Sequence, residues 1–450
     1  MLENLRFTNF KTWPQVELKF GKITGLFGTN SSGKTSLIQF CLLLKQTKEA
    51  TDRSVVLALN GPYVNLGVYH DMVHDHEDAR QLDWELTFSR DKDLLLVDPS
   101  KKRTEAFAKG RQVKIESKIA SRDGVLRAEF LRYALGKTNF SLSPKISGSA
   151  EFELVANNTD FKFLRTQGRP WQLPGPIKSY AFPDQARTYF QNASFLSDLE
   201  AALEGQLDSI FYLGPLREFP HRDYLWARSR PKDVGLRGDQ AIDAILAATA
   251  AGELRNRVRK GTRKPFQEII AHWLKEMGLI HDFKVVEIAK GSNRWQAKIQ
   301  VRKGGTEVLL TDVGFGVSQV LPVITLLQYV PEGSTVILEQ PEIHLHPLAQ
   351  ANLADAIVNA ALHRNVQVIV ESHSEHLLLR LQRRVAENVI PSDDVRLYFC
   401  DAPSGVSVLR PLELDLYGNI ANWPKHFMGD AFGETYAAEA ARLERQTAAE

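Results

Sequence analysis

Leu5 to Phe10 and Val16 to Phe20 alternate apolar and polar side chains with the period of half-buried strands. Ile23 to Phe27 is a short, continuous apolar run of the kind a central strand requires. It stops at Gly28, and after a turn of small and polar residues a helix-length apolar stretch runs from Ser36 to Leu44. The opening order is therefore strand, glycine-rich turn, helix. From Leu82 to about Lys145 the pattern predicts strands joined by polar turns, a meander. Residues 146–283 mix strand-like pieces around Phe152 and Phe161, a proline-rich loop from Pro170 to Pro183, and helical spacing at Leu196–Leu207, Ala241–Leu254 and Phe266–Met277. Strands are predicted again at 284–289, 295–301 and 307–310. A helix after Gly316, a strand at 335–339, a helix at 348–363, a strand at 366–370 and a helix at 374–388 follow. Strands alternating with helices imply a parallel sheet covered on both faces. The expected organisation is a split α/β domain: 1–145, a mixed insertion at 146–283 that is helical in its second half, a return at 284–390, and a small C-terminal module at 391–450.

Composition removes several classes. At 450 residues the chain has room for one large or two to three ordinary domains of roughly 150 residues each. Its 43% hydrophobic and 24% charged residues exclude disordered, collagenous and coiled-coil-dominated chains. Fifty-six basic against 54 acidic residues leave a net charge of +2, so polyanion binding would need a local patch. Two cysteines, Cys41 and Cys400, exclude a disulfide framework and fit a reducing compartment. The polar opening segment and the absence of an uncharged apolar run of about 18 residues predict a cytoplasmic protein with no membrane partner.

The turn Gly28-Thr29-Asn30-Ser31-Ser32-Gly33-Lys34-Thr35 matches the P-loop pattern in full. Backbone N–H groups from Asn30 to Ser36 would wrap phosphates, Lys34 would reach the β and γ phosphates, and the Thr35 hydroxyl would hold Mg²⁺. The plainer alternative is an ordinary glycine-rich turn. Thr335 to Glu339 is an apolar strand ending in an acid, followed by Gln340-Pro341-Glu342, and Glu339 is the expected Mg²⁺ ligand. Without Lys34 this would read as a buried strand and a surface turn. Gly314-Phe315-Gly316-Val317-Ser318-Gln319 opens a helix with small residues. Gly316, Ser318 and Gln319 could form a second phosphate-reading surface, or merely a flexible loop. Val368 to Ser374 delivers His373 at a strand's carboxyl end, where open α/β sheets bind ligands.

P-loop, small-residue signature, acid-tipped strand and strand-end histidine, in that order, resemble the head of ABC-type AAA ATPases. Leu5-x-Phe7-x-Asn9-Phe10-Lys11 and Glu339-Gln340-Pro341-Glu342-Ile343-His344-Leu345-His346-Pro347 narrow the resemblance to the group of SMC, RecF and OLD proteins. Tyr212-Leu213-Gly214-Pro215-Leu216-Arg217 and Tyr417-Gly418-Asn419-Ile420 are similar to a prokaryotic branch of stand-alone members, some linked to phage defence. The resemblance implies a P-loop NTPase head with a mixed or parallel sheet, an antiparallel β subdomain and a largely helical insertion. It implies ATP and Mg²⁺ as cofactors, with Thr35 and Glu339 on the metal and Glu339, Gln340, Glu342 and His373 as catalytic positions. It also implies a homodimer or higher even oligomer in which Gly316 and Ser318 act across the interface. Gln340 stands where such heads usually carry a catalytic glutamate, so hydrolysis should be slow. A DNA-linked or anti-phage switch controlling a nuclease or toxin-like effector in trans is the expected function. An ATP-dependent scaffold and a transporter ATPase subunit are the alternatives.

Two further clusters stay open. Tyr69 to Glu77 crowds metal-capable side chains into nine residues, but a solvated polar loop would look the same. Arg255, Arg257, Arg259, Lys260, Arg263 and Lys264 could contact nucleic-acid phosphates or form a solvated helix end.

Overall fold

The computed structural model describes residues 1–100, 106–146, 149–168, 172–256, 261–424 and 431–447. Its centre is a six-stranded sheet in the order Val408–Leu412, Val395–Asp401, Ile23–Gly28, Gln367–Glu371, Thr335–Glu339 and Ile210–Leu213. All neighbours are parallel except the outermost pair, Val395–Asp401 with Val408–Leu412. The middle strands are buried on both sides, which explains their unbroken apolar runs. Ile337 and Ile369 point into one core, with the P-loop helix (Lys34–Glu49) and the helix Leu196–Asp208. Val336, Leu338, Val368 and Val370 point into the other, with the helices Phe315–Tyr329, Pro347–His363 and Glu375–Ala386.

A seven-stranded antiparallel sheet packs on the first core, in the order Trp13–Lys19, Leu2–Phe10, Leu82–Val97, Ala106–Arg122, Val125–Leu135, Thr138–Pro144 and Phe152–Asn157. Gln367 locks the sheets together: its Oε1 accepts from the Leu2 N–H at 2.9 Å and its Nε2 donates to the Leu2 carbonyl at 2.8 Å, both bonds buried. The meander thus continues past residue 145, because Phe152–Asn157 pairs with Thr138–Pro144 and places Leu154 opposite Leu142. Ile210–Leu213 edges the parallel sheet instead of belonging to the insertion. Residues 395–412 flank the P-loop strand instead of forming a separate module.

The second core is completed by the helices Ala241–Ala250 and Phe266–Glu276 and by a small sheet of Tyr224–Leu225, Asp282–Glu287, Arg294–Gln300 and Glu307–Leu309. The first of these helices stops four residues before the predicted Leu254, because Gly252 takes a left-handed φ of 65° just beyond it and ends the hydrogen-bond ladder. Leu254–Asn256 and Arg263–Pro265 then pair as an antiparallel hairpin in place of a helix end. Arg257, Arg259 and Lys260 lie outside the described residues.

Candidate functional site: a P-loop facing two acid-tipped strands

The strand Ile23–Gly28 delivers the P-loop at the carboxyl edge of the sheet. Gly28 has φ 141°, and a Cβ there would lie 2.0 Å from the Cys400 carbonyl oxygen of the neighbouring strand. Gly33, at φ 87°, caps the P-loop helix, and a Cβ on it would meet Ser407 Oγ at 2.5 Å and Trp13 Nε1 at 2.7 Å. Only glycine fits either position. The Trp13 indole N–H donates to the Gly33 carbonyl at 3.1 Å, and the Ser407 hydroxyl donates to Thr12 Oγ1 at 2.6 Å, bracing the loop from outside. Within it, the Ser32 hydroxyl donates to the Thr29 carbonyl at 2.8 Å, and Ser31 adopts a left-handed φ of 59°. Asn30 and Ser31 are exposed, whereas Ser32, Lys34 and Ser36 are buried. Lys34 Nζ donates to the Gly28 and Thr29 carbonyls at 3.2 and 2.6 Å. Burial lowers its pKa, and the Glu371 carboxylate opposes that shift.

The strand between the P-loop strand and Thr335–Glu339 ends in Glu371, in register with Glu339. The Thr35 hydroxyl donates to the Glu371 carboxylate, 3.0 Å from each oxygen. Glu339 Oε1 instead accepts from the Tyr212 hydroxyl at 3.0 Å. The acid touching the P-loop threonine is therefore Glu371, a residue that sequence reasoning passed over as part of the strand bearing His373. The available signal was that two adjacent parallel strands both end in glutamate.

Burial, reinforced by Glu371, pushes the Glu339 carboxyl up to about 7, and burial also raises Glu371. A carboxyl whose native pKa exceeds its unfolded value of 4.5 binds its proton more tightly when folded. It therefore costs no stability below that value and weakens the fold as pH climbs toward about 7. Thermal unfolding without Mg²⁺ should accordingly occur at lower temperature at pH 8 than at pH 5.5, and Glu339→Gln should reduce the difference to the part carried by the likewise buried and raised Glu200, Glu342 and Glu371; an unchanged slope in that variant would refute the assignment.

Glu342 is also buried. Its Oε1 accepts from the Ser372 hydroxyl at 2.7 Å and from the His373 N–H at 2.8 Å, so it fixes the turn presenting His373. Partial burial and the Lys34 ammonium hold the His373 imidazole below its ordinary pKa, against a hydrogen bond to the Gly28 carbonyl. Gln340, at a left-handed φ of 43°, donates its N–H to the Glu371 carbonyl at 2.8 Å. Non-glycine residues held in that region cost on the order of 1–3 kcal/mol and need surrounding support. Arg217 provides it: 4% exposed, it donates to the Glu339 carbonyl at 3.0 Å and the Gln340 carbonyl at 3.3 Å. Its burial depresses the guanidinium to about 10. Tyr212 and Arg217 thus hold the acid turn by its side chain and its main chain respectively.

Gly314 caps the helix Phe315–Tyr329. Gly316 packs against the His344 turn, where a Cβ would stand 3.1 Å from the His344 carbonyl. The Ser318 hydroxyl donates to the Phe315 carbonyl at 2.9 Å, and Ser318 and Gln319 are 6% and 5% exposed. Phe315 and Phe219 remain 59% and 63% exposed, their rings 6.0 Å apart.

The weaker clusters resolve differently. His346 caps the helix Pro347–His363 by accepting from the Leu348 N–H. His74 is buried with Nδ1 2.6 Å from the Lys11 carbonyl, and Arg80 bridges Asp75 and Glu77, so the segment 69–77, a one-turn helix Tyr69–Met72 followed by the turn His74–His76, has these polar side chains tied to the surrounding chain. Among the described residues, no group of three or more His, Cys, Asp or Glu side chains could cage a metal alone. A magnesium held by one or two carboxylates, a hydroxyl, phosphate oxygens and water needs no such cage. In the basic segment, Arg255 pairs with Glu253 and donates to the Gln328 carbonyl at 3.1 Å, and Lys264 lies 3.6 Å from Glu268.

A parallel sheet with one strand interposed between P-loop and acid-tipped strands, a glycine-capped signature helix and a strand-end histidine together define an ABC-type P-loop ATPase head. The chain belongs to the family described as "AAA domain, putative AbiEii toxin, Type IV TA system", whose model matches residues 23–380. Residues 390–437 match a second family, described as a protein of unknown function, DUF3696. Similar solved structures include the SMC head domain from Thermotoga maritima, with TM-score 0.42, 13% identity, and 92% of this chain and 99% of that one covered. An SMC head bound to the C-terminal winged-helix domain of ScpA gives 0.45, 12%, 92% and 98%. The Pyrococcus furiosus SMC head with an extended coiled coil, bound to the C-terminal domain of ScpA, gives 0.44, 10%, 92% and 96%. Comparison with curated proteins gives no match. No helix among the described residues is long and apolar enough to cross a membrane.

Proposed function

We propose that this chain binds and slowly hydrolyses ATP with Mg²⁺ as a dimeric, nucleotide-dependent switch that controls an effector in trans. The observation carrying this reading is the Thr35 hydroxyl on Glu371, with Glu339 abreast of it, at the mouth of a complete P-loop. Loop N–H groups and Lys34 would hold the phosphates. Thr35 would hold the metal, with Glu371 and Glu339 as its carboxylate partners. When bound, magnesium neutralises charge developing on the transferred phosphoryl group. His373 would hydrogen-bond the γ-phosphate from the turn that Glu342 fixes. Gln340 orients water but cannot take its proton, which sets a low rate and a long-lived ATP state. The toxin–antitoxin description of the matched family supports a defence role with a nuclease or toxin-like partner.

In a symmetric dimer, Gly316 and Ser318 of one subunit would complete the site of the other. Lys34→Ala and Ser318→Ala should each be nearly inactive alone. Mixed in equal amounts they should recover about a quarter of wild-type turnover, because half the dimers would carry one intact composite site. No recovery on mixing, together with full activity at concentrations where the protein is monomeric, would sink the dimeric switch. The scaffold alternative rests on Gln340, and a phosphate-release assay on the wild-type chain separates the two.

A further inference from the structure

Away from the nucleotide site, a cavity of about 660 Å³ opens between the loop Arg230–Lys232, the hairpin Leu254–Asn256/Arg263–Pro265 and the carboxyl ends of the helices Phe315–Tyr329 and Pro347–His363. Its volume falls in the roughly 300–1,000 Å³ range of small-ligand sites. Among the described residues, five cations line it, Arg230, Lys232, Arg255, Arg263 and Arg364, against one acid, Glu332.

The charge is poorly neutralised. Arg230 and Arg255 share one carboxylate, Glu253. Lys232 comes no closer than 3.9 Å to Glu49 and Asp208. Arg263 makes no ion pair among the described residues. Arg364 is 6% exposed; its Nη atoms donate to the Leu327 and Val330 carbonyls at 2.7 and 2.6 Å, and its Nε has no hydrogen-bond partner among the described residues. Burial, then the neighbouring Arg255, depress the Arg364 guanidinium to about 10. The partial negative charge of a helix carboxyl end offsets part of this repulsion, but it does not cancel several full charges. Forked guanidinium donors around a concave, polar wall match phosphate oxygens.

We infer that this cavity is an effector site for a phosphate-bearing ligand, either a free phosphorylated molecule or the backbone of a nucleic-acid strand. Its placement also assigns a route of action. Arg255 and Arg364 hold the Gln328, Leu327 and Val330 carbonyls at one end of the 15-residue helix whose other end is the signature Gly314–Gln319. At 1.5 Å rise per residue the two ends are about 22 Å apart. A ligand that recruits these guanidiniums loosens the helix's carboxyl end and so biases the signature. This coupling rests on the ATPase reading above, whereas binding at the cavity does not.

The test is isothermal titration of the Lys34→Ala chain, with its P-loop disabled, against inorganic pyrophosphate and a 12-nucleotide oligo-dT. Saturable binding is expected. Arg230→Gln combined with Lys232→Gln, both at largely exposed side chains, should weaken it at least tenfold with little shift in thermal unfolding, since neither change sets a carboxylate against Glu253, Glu49 or Asp208. Comparable affinities for the two probes identify a free ligand. Much tighter oligo-dT binding with a steep salt dependence identifies a strand. Absence of saturable binding by both probes, or equal affinity in the double variant, overturns the site. Binding that leaves wild-type ATP turnover unchanged keeps the site and overturns the coupling.

Discussion

Glu371→Gln is expected to slow ATP turnover by about 100-fold, the scale on which charge-stabilising groups at such sites act. The substitution keeps the shape of the side chain and can still accept from the Thr35 hydroxyl, so folding should change little. What disappears is the negative charge beside Thr35 and Lys34 that the metal would compensate. Nucleotide binding in EDTA should stay within a few-fold of wild type, while the Mg²⁺-dependent gain in affinity collapses. Gln340→Glu is the paired variant: supplying a proton acceptor should raise turnover by about 100-fold, the lower end of what positioned general bases contribute. If Glu371→Gln turns over normally while Glu339→Gln is dead, the carboxylates have exchanged roles. Glu342→Ala discriminates further. It removes the oxygen that accepts from the Ser372 hydroxyl and the His373 N–H, so it should disturb the histidine turn more than the metal, whereas Glu342→Gln keeps that acceptor and should leave the turn in place.

The second large effect is structural. Gly28→Ala places a methyl group 2.0 Å from the Cys400 carbonyl, a backbone atom of a paired strand, at a φ of 141°. Overpacking costs about 1–3 kcal/mol and a forbidden backbone conformation a further 1–3 kcal/mol. Urea unfolding should therefore register a loss of about 2–6 kcal/mol, accompanied by loss of nucleotide binding. Gly124→Ala is the control: it also has positive φ, but nothing lies within 4 Å of the added carbon. It should lose only the conformational share. Equal losses in both variants would mean that crowding at Gly28 is relieved by movement of Val395–Asp401.

The parallel strands were legible because they are buried on both faces and so carry unbroken apolar runs; Thr335–Glu339 occupies the span its sequence pattern predicts. Local turn chemistry announced the P-loop. Partnerships across the sheet were not legible. Nothing in the local pattern places Ile210–Leu213 beside Thr335–Glu339, since pairing is decided by which hydrophobic faces meet in three dimensions. For the same reason Tyr212 and Arg217 could be read as a motif but not as supports of Glu339, from which they are separated by more than 120 residues. The acid on Thr35 was hidden by its own strand, where a histidine two positions further on drew the chemical reading. The pairing of Leu254–Asn256 with Arg263–Pro265 was masked by charge, which resembles a helix terminus until backbone partners are known.

The strand Val395–Asp401 flanks the nucleotide strand on one side, and Ser407 reaches back to Thr12 beneath Gly33. The boundary between the two matched families therefore cuts through a continuous hydrogen-bonded surface. A fragment ending near residue 390 would leave Ile23–Gly28 with a raw backbone edge, open to pairing with other chains. Expression of the first family segment alone should yield aggregates, and a protease that severs the 390s would inactivate the ATPase without touching any residue of its catalytic site.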